Sequence, residues 1–150
     1  MQDYQDVDIL LVEDNDGDIL LAREAFGESL DVFDDEPGFG MRMGSTVVMA
    51  YVRPWGDDAA WLQSYSPVVK GADINGDLAL YLLKKNEGMR FGAFGLADDG
   101  TIFFNYSVIA DTVDKEEFKA CILAVAQTAD DLDDEIVKRW GGQRVADLRA

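Results

Sequence analysis

The chain has 150 residues, 48% of them apolar, which is enough for one domain with a core of its own. Thirty acidic residues against 13 basic ones give a formal net charge of −17, a surface that repels nucleic-acid phosphates and anionic membranes. With no histidine and one cysteine, Cys121, the composition excludes His-based acid–base catalysis, Ser-His and Cys-His nucleophile pairs, an internal disulfide and a Cys-based zinc site.

The start, MQDYQDVDILLVEDND, lacks a basic leader, and its apolar run Ile9 to Val12 is too short for a signal peptide. No run approaches a membrane span, so a soluble cytoplasmic protein is expected. Asp16 to Ser29 carries apolar residues at Ile19, Leu20, Ala22 and Phe26 and predicts a helix, with Asp16 or Asp18 as its cap. LDVFDDEPGFGMRM reads as a short strand, a turn at Pro37-Gly38 and a second strand. STVVMAYVRPW is the strongest strand, rich in β-branched and aromatic residues. A turn at Gly56 leads into AWLQSYSPVV, where Pro67 points to an edge position or a strand end.

A second helix follows in ADINGDLALYLLKKNEG, with Leu78, Tyr81 and Leu82 on one face and Gly88 at its stop. RFGAFGLADDGTIFFNYSVI reads as a hairpin around a two-residue Asp99-Gly100 turn with both central positions at positive φ. From Asp114 to Trp140, the positions Phe118, Cys121, Ile122, Val125, Ala129, Leu132, Ile136 and Trp140 recur at three- and four-residue steps. That is one long amphipathic helix, with capping-box spacing at Asp114 and Glu117 and a stop at Gly141-Gly142. Short turns make neighbouring strands antiparallel. The expected fold is therefore α+β: an antiparallel sheet of about five strands with packed helices, in the order α-β-β-β-α-β-β-α. The whole chain, 1–150, reads as a single domain with its core over about 16–142. Residues 1–12 and 143–150 are expected to be loosely held.

Several constellations suggest chemistry and then fall short of it. VDILLVEDNDGDILLAREAF strongly resembles the first strand and helix of a response-regulator receiver domain. In that family an acidic pair, matched here by Glu13 and Asp14, holds Mg²⁺ beside a phosphorylated aspartate, whose usual offset falls near Asp57. The resemblance implies, as the alternative function, a signal-transduction regulator that retains a receiver-like phosphate and Mg²⁺ site. The chain has no Lys between Lys85 and Lys115 and no Pro after Pro67, so the family's Lys-Pro pair is missing. In an EF-hand register, Val12 and Arg23 fall where oxygen ligands must stand. The DDLDD run at Asp130 to Asp134 lacks a facing acidic motif and reads as a solvated helix face, as do Asp73, Asn75 and Asp77 at a helix start. No cofactor and no tight metal site are expected. Cys121 lies on the apolar stripe, where a buried core thiol is the default.

Aromatic residues are numerous, and alternation places some on each face of the sheet. A sheet that is apolar on both sides leaves a face for a dimer partner or a bound peptide. The candidate surface comprises Val48, Ala50, Val52, Trp61, Phe91, Phe94 and Phe103.

From about Asp16 to Gly142 the pattern resembles the YbjN-like proteins, which share their fold with class I type III secretion chaperones. The residues that carry the resemblance are NEGMRFGAFGLADDGTIFF at Asn86 to Phe104 and DKEEFKACILAVAQTADDLDDEIVKRWGG at Asp114 to Gly142. The resemblance implies a helix-sheet-helix fold, a homodimer and a non-enzymatic role in binding proteins or extended apolar peptides. Basic flanks on such a peptide would answer the −17 surface. Some members carry the description of sensory transduction regulator. Neither nucleic acid nor membrane is an expected partner.

Overall fold

The computed structural model describes residues 30–32, 38–43 and 46–148. The helix expected over Asp16–Ser29 and the pair Glu13 and Asp14 lie outside the described residues. Among the described residues there are seven strands in one sheet: β1 (Leu30–Val32), β2 (Gly38–Met43), β3 (Thr46–Trp55), β4 (Ala59–Lys70), β5 (Ala93–Leu96), β6 (Ile102–Ile109) and β7 (Gln143–Arg144). The order across the sheet is β1-β2-β3-β4-β6-β5, with β7 beside β4, and every pairing is antiparallel. Two helices, α1 (Gly76–Gly88) and α2 (Lys115–Trp140), and a 3-10 turn (Val145–Leu148) complete the α+β architecture. No described helix is long and apolar enough to cross a membrane.

The expected order differs in two places. Four strands precede α1 rather than the three of that order, since β1 and β2, both read as strands in the sequence, pair as two separate strands. Residues 143–148 are not loose: Gln143 and Arg144 pair with Lys70 and Val69 as β7, and Val145–Leu148 form the 3-10 turn.

Alternation along β3 and β4 decides the core. Val48, Ala50 and Val52 of β3 and Ala60, Leu62, Ser64 and Ser66 of β4 point to the face that α2 covers. Phe39, Ile102 and Phe104 join them from β2 and β6. From α2, Phe118, Ile122, Val125 and Ile136 are fully buried against this face. Each such side chain contributes about 1.5–3 kcal/mol on leaving water.

α2 starts where the capping box was expected. Asp114 Oδ1 accepts from the Glu117 amide at 2.8 Å, and Glu117 Oε2 accepts from the Asp114 amide at 3.3 Å. The helix ends at Gly141, φ +74. Its stripe departs from the expected one at a single step. Leu132 is only half-buried, and Asp133 takes the buried position between Ala129 and Ile136. On a 3.6-residue turn, 129, 133, 136 and 140 share a line more closely than 129, 132 and 136. The solvated face expected for the DDLDD run therefore holds for Asp130, Asp131 and Asp134 but not for Asp133.

α1 is capped by Asn75, whose side chain accepts from the Leu78 amide at 3.0 Å and donates to Asp73 at 3.2 Å. At its other end Asn86 clamps β5: its Oδ1 accepts from the Phe94 amide and its Nδ2 donates to the Phe94 carbonyl. The β5–β6 hairpin does not use the expected two-residue turn. Ala97 donates to Thr101 and Gly100 donates to Ala97, so three residues form the loop. Only Gly100 has positive φ, while Asp99 accepts from the Thr101 amide. This is a turn closed by a glycine bulge.

Pro67 sits inside β4 rather than on an edge strand. It is tolerated because the β3 ladder has already ended at Tyr65, while the β6 register shifts between Pro67 and Val69.

Candidate functional site

The seven residues expected to form one binding surface divide among three places. Val48, Ala50, Val52 and Phe94 are buried beneath the helices. Their position corrects that expectation, because alternation defines two faces without saying which one the long helix covers. Trp61 and Phe103 lie on the opposite face of the sheet, half-buried. On that face Tyr51 stacks on Tyr65 at 5.6 Å, and Phe103 meets Tyr65 edge-on at 6.2 Å. Phe103 also lies over Gly95, where an added Cβ would sit 2.5 Å from the ring.

Phe91 is the exception. It is 58% exposed and lines a groove of about 410 Å³ between β6 and the first turns of α2. β6 outruns its neighbour: β5 pairs only with Ile102 to Asn105. From Tyr106 to Ile109, β6 pairs with β4 on its inner side, and no described strand covers its outer edge. Tyr106, Val108 and the 47% exposed Ile109 form one wall, and Ala120 and Ala124 of α2 form the other. The two alanines are four residues apart on one helix face, and their small side chains give the groove its depth. Phe91 closes one end, with its ring edge-on to Tyr106 at 5.6 Å.

The groove is largely apolar, with one charged residue in its lining. That residue is Glu117; the adjoining stretch carries Asp111, Asp114 and Glu116 together with Lys115 and Lys119. Cys121 forms its floor and is buried. Burial pushes the Cys121 thiol up to about 12, while the Ser64 hydroxyl at 3.6 Å acts in the opposite direction. The thiol therefore stays protonated near neutrality and serves as a core contact, not a nucleophile. Burial, followed by the nearby Cys121 and Glu117, also raises the Tyr106 hydroxyl. Such a site can take an extended chain, with backbone hydrogen bonds along the strand edge and alternate side chains against the alanines.

Asp57 stands in the exposed turn between β3 and β4, not at the end of a buried parallel strand. The sheet has no parallel pair among the described residues, which removes the frame of a receiver domain.

The model of the family described as T3SS (YopN, CesT) and YbjN peptide-binding chaperone 1 matches residues 18–148. The chain belongs to this peptide-binding chaperone family. No curated protein is significantly similar to the chaperone in sequence. Among solved structures, a chain of the ExsC–ExsE complex superposes with a TM-score of 0.61 at 17% identity, covering 91% of this chain and 97% of that one. A chain of the HopA1–SchA chaperone–effector complex gives 0.60 at 13% identity, covering 89% and 99%. A chain from the Yersinia pestis type III secretion chaperone SycH in complex with a fragment of YscM2 gives 0.56 at 15%, covering 83% and 98%. At these identities the likeness establishes that the chain shares their fold.

Sequence reasoning missed Tyr106, Val108, Ile109, Ala120 and Ala124. A signal was present: the strand IFFNYSVI is twice as long as its partner AFGL, so that AFGL can cover only half of its edge.

Proposed function

We propose that the chaperone is a non-enzymatic cytoplasmic module that takes an extended apolar segment of another protein along the outer edge of β6. The observation that carries this reading is the coincidence of a strand edge that no described strand covers and an apolar groove beside it, with Glu117 in its lining. An incoming strand gains backbone hydrogen bonds from Tyr106 to Ile109 and places alternate side chains against Ala120 and Ala124. A basic flank on the segment meets Glu117. The structural relatives that are chaperone–effector complexes support a protein partner.

The test uses fluorescence polarisation with unstructured apolar peptides bearing basic flanks. Binding should weaken with salt, because the Debye length falls from about 10 Å at 0.1 M to about 3 Å at 1 M, while the apolar part survives. Ala124→Trp fills the groove from a half-exposed helix position. It should reduce affinity by about tenfold or more with little change in melting. Equal affinity of the wild type and Ala124→Trp would move the site elsewhere.

We further propose that α1 pairs two copies of the chain. Its outer face carries Leu80 and Leu83, 57% and 63% exposed and three residues apart, with Ile74 just before the helix. Few monomers leave such a row uncovered. Light scattering should give twice the chain mass for the wild type and the single-chain mass for Leu83→Glu. A single-chain mass for both at micromolar concentration rejects the dimer.

A further inference from the structure

The buried stripe of α2 holds a carboxylate where the fold calls for an apolar group. Asp133 is 4% exposed, and its Oδ1 has no hydrogen-bond partner. A cavity of about 10 Å³ lies beside it, room for a single water. Its strand side is Thr46, Pro67 and Val68, all uncharged, and its cover is Val145 and Ala146.

The cover is the segment that follows α2. Gly141 and Gly142, at φ +74 and +84, turn the chain back. The passage is tight, since a Cβ at Gly142 would lie 2.6 Å from the Ala72 amide nitrogen. β7 then pairs with β4 through two residues only, and the 3-10 turn crosses the cavity. Arg144 donates to both carboxylate oxygens of Asp147, at 2.8 and 2.7 Å, and pairs with Asp134 at 3.2 Å. The charged groups around Asp133 are thus Asp130 and Asp134 from α2 and Arg144 and Asp147 from the cover. Burial pushes the Asp133 carboxyl up, and the Asp134 backbone N–H and, after it, the Arg144 charge offset part of that rise. Arg144 nevertheless donates nothing to Oδ1.

The segment is therefore seated like a ligand: a short strand on β4, a guanidinium over acids, an apolar residue over a cavity. It leaves one buried acceptor unmet, which weakens its hold. We propose that Gln143–Leu148 is an internal pseudoligand occupying a second docking slot, between β4 and the Asp130–Asp134 turn of α2, which accepts an extended partner segment with a basic residue followed by an apolar one. The proposal rests on the peptide-binding reading above. A partner segment that donates to Asp133 Oδ1 satisfies the oxygen that the internal segment leaves bare, and so displaces it. Among the described residues no acidic cluster is spaced to hold a metal ion, so a cationic side chain is the fitting occupant.

The probe is a fluorescein-labelled peptide with the sequence of residues 141–148, Gly-Gly-Gln-Arg-Val-Ala-Asp-Leu, added to the full chain. In the wild type the tethered copy competes at millimolar effective concentration, so the probe binds weakly. Arg144→Ala in the chain loosens the tethered copy, and the probe should then bind about tenfold tighter or more. A probe with alanine in place of its arginine should lose that gain. Adding Asp134→Asn, which removes the α2 carboxylate that the arginine pairs with, to the Arg144→Ala chain should abolish the preference for arginine. Hydrogen exchange should show the amides of Val145–Leu148 opening faster in Arg144→Ala, with α2 unchanged.

Equal probe affinity for wild type and Arg144→Ala, or unchanged exchange at Val145–Leu148, overturns the proposal. The two readings fail separately. Binding of apolar peptides that Ala124→Trp blocks, without any binding of the probe, sinks the second slot alone. Probe binding without any apolar peptide in the β6 groove sinks the function proposed above and leaves the slot standing.

Discussion

Phe104→Ala is expected to lower the unfolding free energy by about 3–5 kcal/mol. The ring is fully buried at the centre of the core face, and Phe94 meets it edge-on at 5.1 Å. Truncation loses the transfer energy of the ring, leaves a cavity under α2 and removes the aromatic pair, worth about 0.5–1.5 kcal/mol beyond its area. Domains of this size hold only about 5–15 kcal/mol in total, so the variant should sit near the edge of folding. Urea denaturation reads it directly: the midpoint should fall sharply with little change in slope. A loss below 1 kcal/mol, of the kind seen at exposed sites, would mean that the β6–α2 packing is not as described.

Gly92→Ala should cost about 2–4 kcal/mol, for reasons of backbone geometry alone. Gly92 has φ +78, and a Cβ there would lie 2.5 Å from the Asn105 carbonyl oxygen and 2.7 Å from the Phe104 ring. The ring is part of a side chain and can be trimmed, whereas the carbonyl belongs to the β6 backbone. Combining Gly92→Ala with Phe104→Leu should therefore recover little of the loss, since φ and the carbonyl contact persist. Full recovery in urea melts would identify the ring as the sole obstacle and refute the backbone argument. Because Phe91 adjoins this glycine, the same substitution should also disturb the closed end of the groove.

Much of the fold was legible because single patterns carried it. The stripe from Phe118 to Trp140 announced the long helix, and the Asp114–Glu117 spacing announced its start. Alternation in TVVMAYV announced β3. What escaped depended on relations between elements. Asp133 has the wrong chemistry for a buried position, so an apolar pattern passes over it and selects Leu132. Pro67 looked like an edge residue because nothing local reveals a ladder that has already ended at Tyr65. The candidate site was less legible still. Val48, Ala50 and Val52 lie in the most strand-like stretch of the chain, on the face that α2 covers, and so they serve the core. The groove instead uses two alanines and the overhang of one strand past another, features of length and smallness with no distinctive residue type.

The order of elements along the chain also sets an order in time. The inner face of the β3–β4 hairpin, Val48, Ala50, Val52 and Leu62, is covered by side chains of α2 such as Ile122. That cover is encoded about 60 residues after Leu62, so at about 5–20 residues per second a nascent chain presents the hairpin bare for about 3–12 s. Until α2 has emerged, a protein of a chaperone family is itself an unprotected apolar strand pair on the ribosome.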